Sequence, residues 1–216
     1  PWAMDRPRRQ SCSRSTRSVG APSPPRNHPV DSDKPSSARL LASRILPINR
    51  GISFTMRQPM LVRNLETRDH APIITVVNDW WGGRPMAGML PRLFFTHFQP
   101  SSFVIEDCGQ LVAFLIGFIS QTDPAQAYIH FVGVHPGYRA QGLGRQLYQH
   151  FFETVQAQGC QTVRCVTSPV NTGSIAFHTH MGFTAEPGDS TVQGIAITHD
   201  YDGPGEHRVR FAKTLG

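Results

Sequence analysis

One stretch constrains this chain more than any other. A β-type run, Ala127-Tyr-Ile-His-Phe-Val-Gly-Val134, passes through a turn carrying Arg139, Gly142 and Gly144 straight into an amphipathic helix. In that helix Leu143, Leu147, Phe151 and Val155 recur every fourth residue, with Arg145, Gln146, Gln149, Glu153 and Gln156 between them. One face is therefore buried, and Gly159 is a natural stop. Strand, glycine-bearing turn and helix follow one another without a break. They gather backbone N–H groups and the positive end of a helix around one point, which attracts phosphate. Gly142 and Gly144 let a diphosphate approach the backbone closely, and Arg139 adds charge beside it. The turn alone would serve equally as a plain strand–helix connection. Two other phosphate-binding patterns are excluded: there is no Gly-x-Gly-x-x-Gly with an acidic residue on a second strand, and no Gly-Lys-Ser/Thr.

A second segment follows, Asn171-Thr-Gly-Ser-Ile-Ala-Phe-His-Thr-His-Met-Gly-Phe183. Together the two resemble the GNAT superfamily of N-acetyltransferases. The first motif of that superfamily runs from an apolar strand through Val-x-Pro to Arg/Gln-x-x-Gly-x-Gly/Ala, matched here by Val134, Pro136, Arg139, Gly142 and Gly144. Its later segment carries an Asn followed by a short helix ending in Gly-Phe. The likeness is close between 127 and 183 and loose at both ends of a span from about 60 to 216.

The resemblance implies the superfamily's acyl-CoA N-acyltransferase fold, a mixed, twisted α/β sheet in βααβββαβαββ order with helices on both faces, and acetyl-CoA as co-substrate. It implies that backbone groups of Val132 and Val134 hold the pantetheine arm, with the Val134 N–H as candidate oxyanion donor. Backbone N–H groups of Arg139, Ala140, Gln141, Gly142, Leu143, Gly144 and Arg145 would hold the pyrophosphate, and Asn171 and Ser174 would contact the arm.

Acetyl transfer from a thioester needs a neutral amine, although an alkylammonium titrates near ~10. It also needs a donor for the developing oxyanion and stabilisation of the departing thiolate. His130 lies four residues before Val134 and is expected on the same strand face, where the resemblance places a base that relays the amine proton through water. A hydrogen-bonded sheet histidine is the alternative. His135 is expected on the other face, solvated in the turn. His178 stands where the superfamily usually carries a Tyr that protonates the thiolate; either His178 takes that role or it only packs against the cofactor. His178 and His180 point to different helix faces, and with no carboxylate or Cys ligands at fitting spacing no metal is expected. For the acceptor, the resemblance points to Trp80, Trp81 and Arg84 in one bend and Tyr201 in another. Aromatics beside acidic groups suit a cationic amine, while ordinary turn chemistry and core-edge packing explain them as well.

The rest of the chain fits around these motifs. Leu61–Leu65 reads as a strand and Thr67 or Asp69 as the cap of a helix with Pro72 in its first turn. That helix ends at Trp80-Trp-Gly-Gly-Arg-Pro85, and a less regular helical region runs from about Met86 to Phe98, interrupted by Pro91. Strands 102–106 and 110–119 join through Asp107-Cys-Gly109 as a hairpin. Strand Thr162–Thr167 and helix Ser174–Met181 precede a β-rich end, Phe183–Ala185 and Arg208–Leu215, around a long turn region.

The net charge of +6 is unevenly spread. Residues 1–55 hold ten Arg and Lys against three Asp, while residues 56–216 hold eleven against twelve Asp and Glu. The basic Ser/Pro/Arg-rich extension 1–55 is expected to be disordered and not necessarily native, since Met56 or Met60 could be the natural start; the resemblance implies that residues 56–216 are the N-acetyltransferase domain. A transit peptide or a nucleic-acid arm are the other readings of 1–55, the latter disfavoured because stacking aromatics are nearly absent. Four cysteines without a Cys-x-x-Cys pair point to a reducing cytoplasm, and the apolar run 111–119 is too short to span a bilayer. The expected activity is acetyl transfer from acetyl-CoA to a small-molecule or protein primary amine, by direct attack in a ternary complex. The alternatives are a non-catalytic acyl-CoA-binding module, or an acetyltransferase tied to nucleic acid through the basic arm. A homodimer stays open.

Overall fold

The computed structural model describes residues 60–216. The expectations for residues 1–55 fall outside that range. The described chain forms β1 (Leu61–Asn64), α1 (His70–Trp80), α2 (Leu93–His97), β2 (Phe103–Asp107), β3 (Gln110–Ile119), β4 (Gln126–Val134), α3 (Leu143–Gln156), β5 (Thr162–Thr167), α4 (Thr172–His180), β6 (Thr184–Ala185), β7 (Ser190–Val192), β8 (Ile195–Ile197) and β9 (Val209–Thr214). The first seven strands in space run β1-β2-β3-β4-β5-β9-β6, antiparallel except where β4 meets β5. This is the expected order with one addition, the separate hairpin β7–β8.

The sheet buries both faces because its long strands are apolar throughout. On one face α3 lays Leu147, Phe151 and Val155 against Ile105, Leu115 and Ile129. On the other, α1 contributes Ile73, Val77 and Trp80, which pack with Phe95, Val104, Phe114, Ile116 and Phe131. The β2–β3 hairpin closes on Cys108 and Gly109, both with positive φ, the two-residue turn that matches strand twist.

The α1 side is less regular than its sequence suggests. The expected helical region 86–98 resolves into a 3-10 turn at Ala87–Met89 and the short α2, because Pro91 cannot continue a helix. The Asn78 carboxamide oxygen, reaching from α1, accepts from the Met86 and Ala87 N–H groups at 2.8 and 3.0 Å and fixes this loop. Asp69 caps differently from expectation. Its carboxylate accepts from the Glu66 N–H at 2.7 Å, in the 3-10 turn before α1, and receives both Arg63 guanidinium nitrogens at 2.8 Å. Glu106 on β2 takes the same guanidinium. Burial opposes charge on Asp69, but the hydrogen bonds from Arg63 and the Glu66 N–H overcome it and hold the carboxyl below its ordinary range. Thr67 is not a cap; its hydroxyl donates to the Phe95 carbonyl at 3.1 Å.

Candidate active site

β4 and β5 start side by side and then part. Their parallel pairing covers only Gln126–Tyr128 against Thr162–Arg164. Beyond that point β4 stays on β3: the His135 N–H donates to the Val112 carbonyl at 2.8 Å. Alternation along an antiparallel strand therefore turns the N–H and C=O groups of Val132 and Val134 away from β3, into the gap left by β5. A cleft of about 630 Å³ opens there, lined by Val132 and Val134 of β4, Gly144 and Tyr148 of α3, and Asn171, Ser174, Phe177 and His178 around α4. Trp80, Trp81 and Arg84, expected at the acceptor, line the same cleft, as does Arg139.

The turn into α3 is built as a concave row of amides. Ala140 and Gly142 both have positive φ, 60° and 83°, and Gly142 is the N-cap of α3. Such alternation points successive N–H groups inward, and the first helical amides, Leu143 to Arg145, have no intrahelical acceptor. Gly142 is required by its backbone, since a Cβ there would meet nothing within 4 Å. At Gly144 a Cβ would meet the Phe177 ring at 3.4 Å, an ordinary van der Waals contact, so packing there does not demand a glycine. Gln141 and Arg145 stay exposed around the row and Leu143 anchors it in the core.

Arg139 is not free beside the row. Its guanidinium donates to the Trp80 carbonyl at the C-terminal end of α1, and its Nε to the Val134 carbonyl at 3.3 Å. It fastens α1 to β4, where a cation suits the negative helix end. Asn171 caps α4, its carboxamide oxygen accepting from the Ser174 N–H at 3.2 Å.

His130 departs from expectation. The β3–β4 register slips between Ile116 and Gly117: Ile116 faces Phe131 and Gly117 faces Ile129, which leaves His130 as an extra residue on β4. A bulge of this kind reverses the faces beyond it. His130 therefore lies with Phe131 on the α1–α2 side, while Val132 and Val134 pack on the α3 side. Its ring stacks on Phe94 at 4.3 Å and its Nε2 donates to the Met89 carbonyl at 2.7 Å. A carbonyl only accepts, so Nε2 carries a hydrogen, and in the neutral ring the lone pair is on Nδ1. His135 is half-buried rather than solvated, edge-on to Trp80 at 5.5 Å. Burial and then the Arg139 charge lower its pKa.

His178 remains in the cleft wall, yet both ring nitrogens are engaged. Nδ1 donates to the Ser174 carbonyl at 2.8 Å, with the Ser174 hydroxyl at 3.3 Å. Nε2 therefore accepts, from the Tyr148 hydroxyl at 2.8 Å. The ring is 5% exposed and stacks on Phe211. Burial lowers its pKa against the opposing Ser174 hydrogen bond. Burial, with a smaller contribution from Cys165, raises the Tyr148 phenol well above its ordinary value, so the phenol keeps its proton. Tyr148 was no sequence candidate; its signal was a phenol on the buried stripe of α3, where a phenylalanine would pack without needing a partner.

Tyr201 lies outside the cleft, 44% exposed, in the turn that precedes β9. Among the described residues no group of three or more His, Cys, Asp or Glu side chains is placed to hold a metal ion, and no helix is long and apolar enough to cross a membrane.

Comparison with known proteins identifies the class. Residues 66–183 match the acetyltransferase (GNAT) family, and the chain belongs to it. It is 31% identical over 84 residues to the L-2,4-diaminobutyric acid acetyltransferase of Nocardia farcinica, a stretch covering 39% of this chain and 44% of that protein. It is 29% identical over 82 residues to the ribosomal protein bS18 alanine N-acetyltransferase of Escherichia coli, covering 38% and 53%. The chain thus spans about half the length of these relatives. Among solved structures, a GNAT-family acetyltransferase from Desulfovibrio desulfuricans superimposes with a TM-score of 0.61 at 14% identity, over 73% of this chain and all of the other. That likeness concerns the fold.

Proposed function

We propose that the protein transfers the acetyl group of acetyl-CoA to a primary amine by direct attack within a ternary complex. The observation that carries this is the parting of β4 from β5, which leaves the outward amides of Val132 and Val134 along a cleft that ends at the row of amides opening α3. An acyl-pantetheine arm has the chemistry for both ends: amides that pair with a strand edge, and a diphosphate for a helix N-terminus. The amides from Arg139 to Arg145 hold the diphosphate, Val132 and Val134 hold the arm, and Asn171 and Ser174 flank it. The Val134 N–H receives the carbonyl oxygen as it becomes an oxyanion.

His130 is the base in this reading, through the free lone pair of Nδ1. Its position across the sheet from the arm has the amine approach from the α1–α2 side. The acceptor surface there includes Trp81, its ring tilted against Phe131 at 4.9 Å, together with Trp80 and Arg84. The named substrates of the relatives, a diamino acid and a protein alanine, support an acceptor that is a small-molecule or a protein amine. A reducing cytoplasm goes with this assignment, as Cys160 and Cys165 are buried free thiols.

The test is an amine panel with acetyl-CoA and thiol release as readout, using the full chain. Turnover with at least one amine, dependent on that amine, is the expected result. Acetyl-CoA binding without turnover on any amine would leave a binding module in place of an enzyme.

A further inference from the structure

The departing sulfur needs stabilising, and none of the groups assigned above supplies it. His178 cannot do so directly, because Nδ1 is committed to Ser174 and Nε2 accepts from Tyr148. Among the described residues lining the cleft, Tyr148 is the one phenol. It follows Gly144 by four residues, so it stands one helical turn inside the row of amides, on the same face of α3. Phe177, Phe183 and Phe152 surround its ring and fix it.

We propose that Tyr148 is the catalytic residue that meets the leaving thiolate, with His178 and Ser174 as positioning residues behind it; this rests on the acetyl-transfer reading. The Ser174–His178–Tyr148 chain can be satisfied in two ways. In the arrangement described, the Nδ1 hydrogen goes to the Ser174 carbonyl and the Tyr148 O–H goes to Nε2. In the other tautomer the Ser174 hydroxyl, 3.3 Å from Nδ1, donates to it, and the Nε2 hydrogen is given to the Tyr148 oxygen. The phenolic O–H is then released toward the cleft.

The second arrangement fits the chemistry step. The amine nitrogen bonds to the acyl carbon, the C–S bond breaks, and the sulfur leaves with the electron pair as a thiolate, accepting a hydrogen bond from Tyr148. The proton shed by the nitrogen passes through His130 to solvent, and the thiol is reprotonated from solvent on release, so protons balance without charging His178. The switch explains why Ser174 offers both a carbonyl and a hydroxyl to one imidazole nitrogen.

The experiment needs no knowledge of the acceptor. Coenzyme A is bound to the full chain and its thiol is titrated by the ultraviolet absorbance of the thiolate, for the wild type, Tyr148→Phe and Ser174→Ala. A hydrogen bond to a charged sulfur is worth about one to two pH units of thiol titration. Tyr148→Phe should therefore raise the bound thiol's pKa by that amount while coenzyme A affinity changes by less than about threefold. Ser174→Ala should shift it in the same direction by less, because only the first tautomer remains fully satisfied. Identical titrations in wild type and Tyr148→Phe, with coenzyme A bound to both, would overturn the role of Tyr148 and leave the acetyl-transfer reading standing. Failure of coenzyme A to bind the wild type would overturn both. If Tyr148→Phe does not hold its fold, Ser174→Ala decides, and an unshifted thiol there overturns the proposal.

Discussion

The two faces of the sheet are built to different specifications. The α3 face carries a regular helix of 14 residues, an α4 capped by Asn171, and a cleft wall where Tyr148, His178 and Ser174 hydrogen-bond to one another. The α1 face carries a helix that ends in two positive-φ glycines, a 3-10 turn, a five-residue helix and a loop held by one asparagine. In the proposed reaction the regular face receives the invariant partner, acetyl-CoA, and the irregular face receives the amine. Regular elements supply fixed amides for a fixed ligand, whereas short elements joined by loops can change the acceptor without disturbing the sheet.

The sharpest way to break this comparison is to remove the proton acceptor from the irregular face. His130→Ala should lower kcat by about 10²–10⁴-fold near neutral pH and by less at high pH, where the amine is already unprotonated. A pH–rate profile displaced uniformly downward, with no recovery at high pH, would make His130 a wall of the acceptor site rather than its base.

The second test concerns stability of the same face. Asp69 is 4% exposed and bidentate with Arg63, so Asp69→Asn strands part of a buried charge network and should cost about 3 kcal/mol; the Arg63 side chain is 18% exposed, which keeps the cost at the low end for a buried pair. The folded Asp69 pKa is below the unfolded one near ~3.9, so its contribution is present above that pH and is lost as the pH falls through the folded pKa. Urea denaturation at neutral and strongly acidic pH checks both: wild type and variant should differ at pH 7 and converge in strong acid.

The third test moves to the α3 face. Gly142→Val puts a β-branched side chain at φ 83°, so the amide row must distort although the space around it is open. Acetyl-CoA affinity should fall by about 10–100-fold with α3 still formed, measured by calorimetry and circular dichroism. Unchanged affinity would remove the amide row from the cofactor site.

What the sequence made legible follows the same division. The α3 face was readable because its signals are periodic: a four-residue apolar repeat, a glycine turn and an Asn cap three residues before the Ser174 amide. Tyr148 escaped because on a buried stripe a phenol looks like any aromatic until its partner, 30 residues on, is known. The face of His130 was misjudged because a bulge is a property of two strands, and nothing in β4 alone marks the slip opposite Gly117. The β7–β8 hairpin was missed for a chemical reason. Its turn is Gln193-Gly194, both with positive φ, where Asn-Gly would have announced it. Asp69 was legible as a capping residue but not as the partner of Arg63 and Glu106, since that corner is assembled from β1, the turn before α1 and β2.

The smallest expected effect separates the two faces by pH alone. Burial holds the folded pKa of His178 below the unfolded value near ~6.5, so between the two the unfolded chain binds a proton that the native ring refuses. The favourable difference is complete above the unfolded pKa, and stability falls as the pH drops through it, levelling off below the folded value. Asp69 acts in the other window, below ordinary carboxylate titration. Melting curves collected from neutral to acid pH should therefore show two steps, a shallow one belonging to the α3 face and a deeper one belonging to the α1 face. His178→Gln, which keeps a donor and an acceptor for Ser174 and Tyr148, should flatten the first step and leave the second in place, while Asp69→Asn does the reverse. A first step that persists in His178→Gln would assign it to other histidines, such as the half-buried His135, whose pKa burial lowers in the same direction.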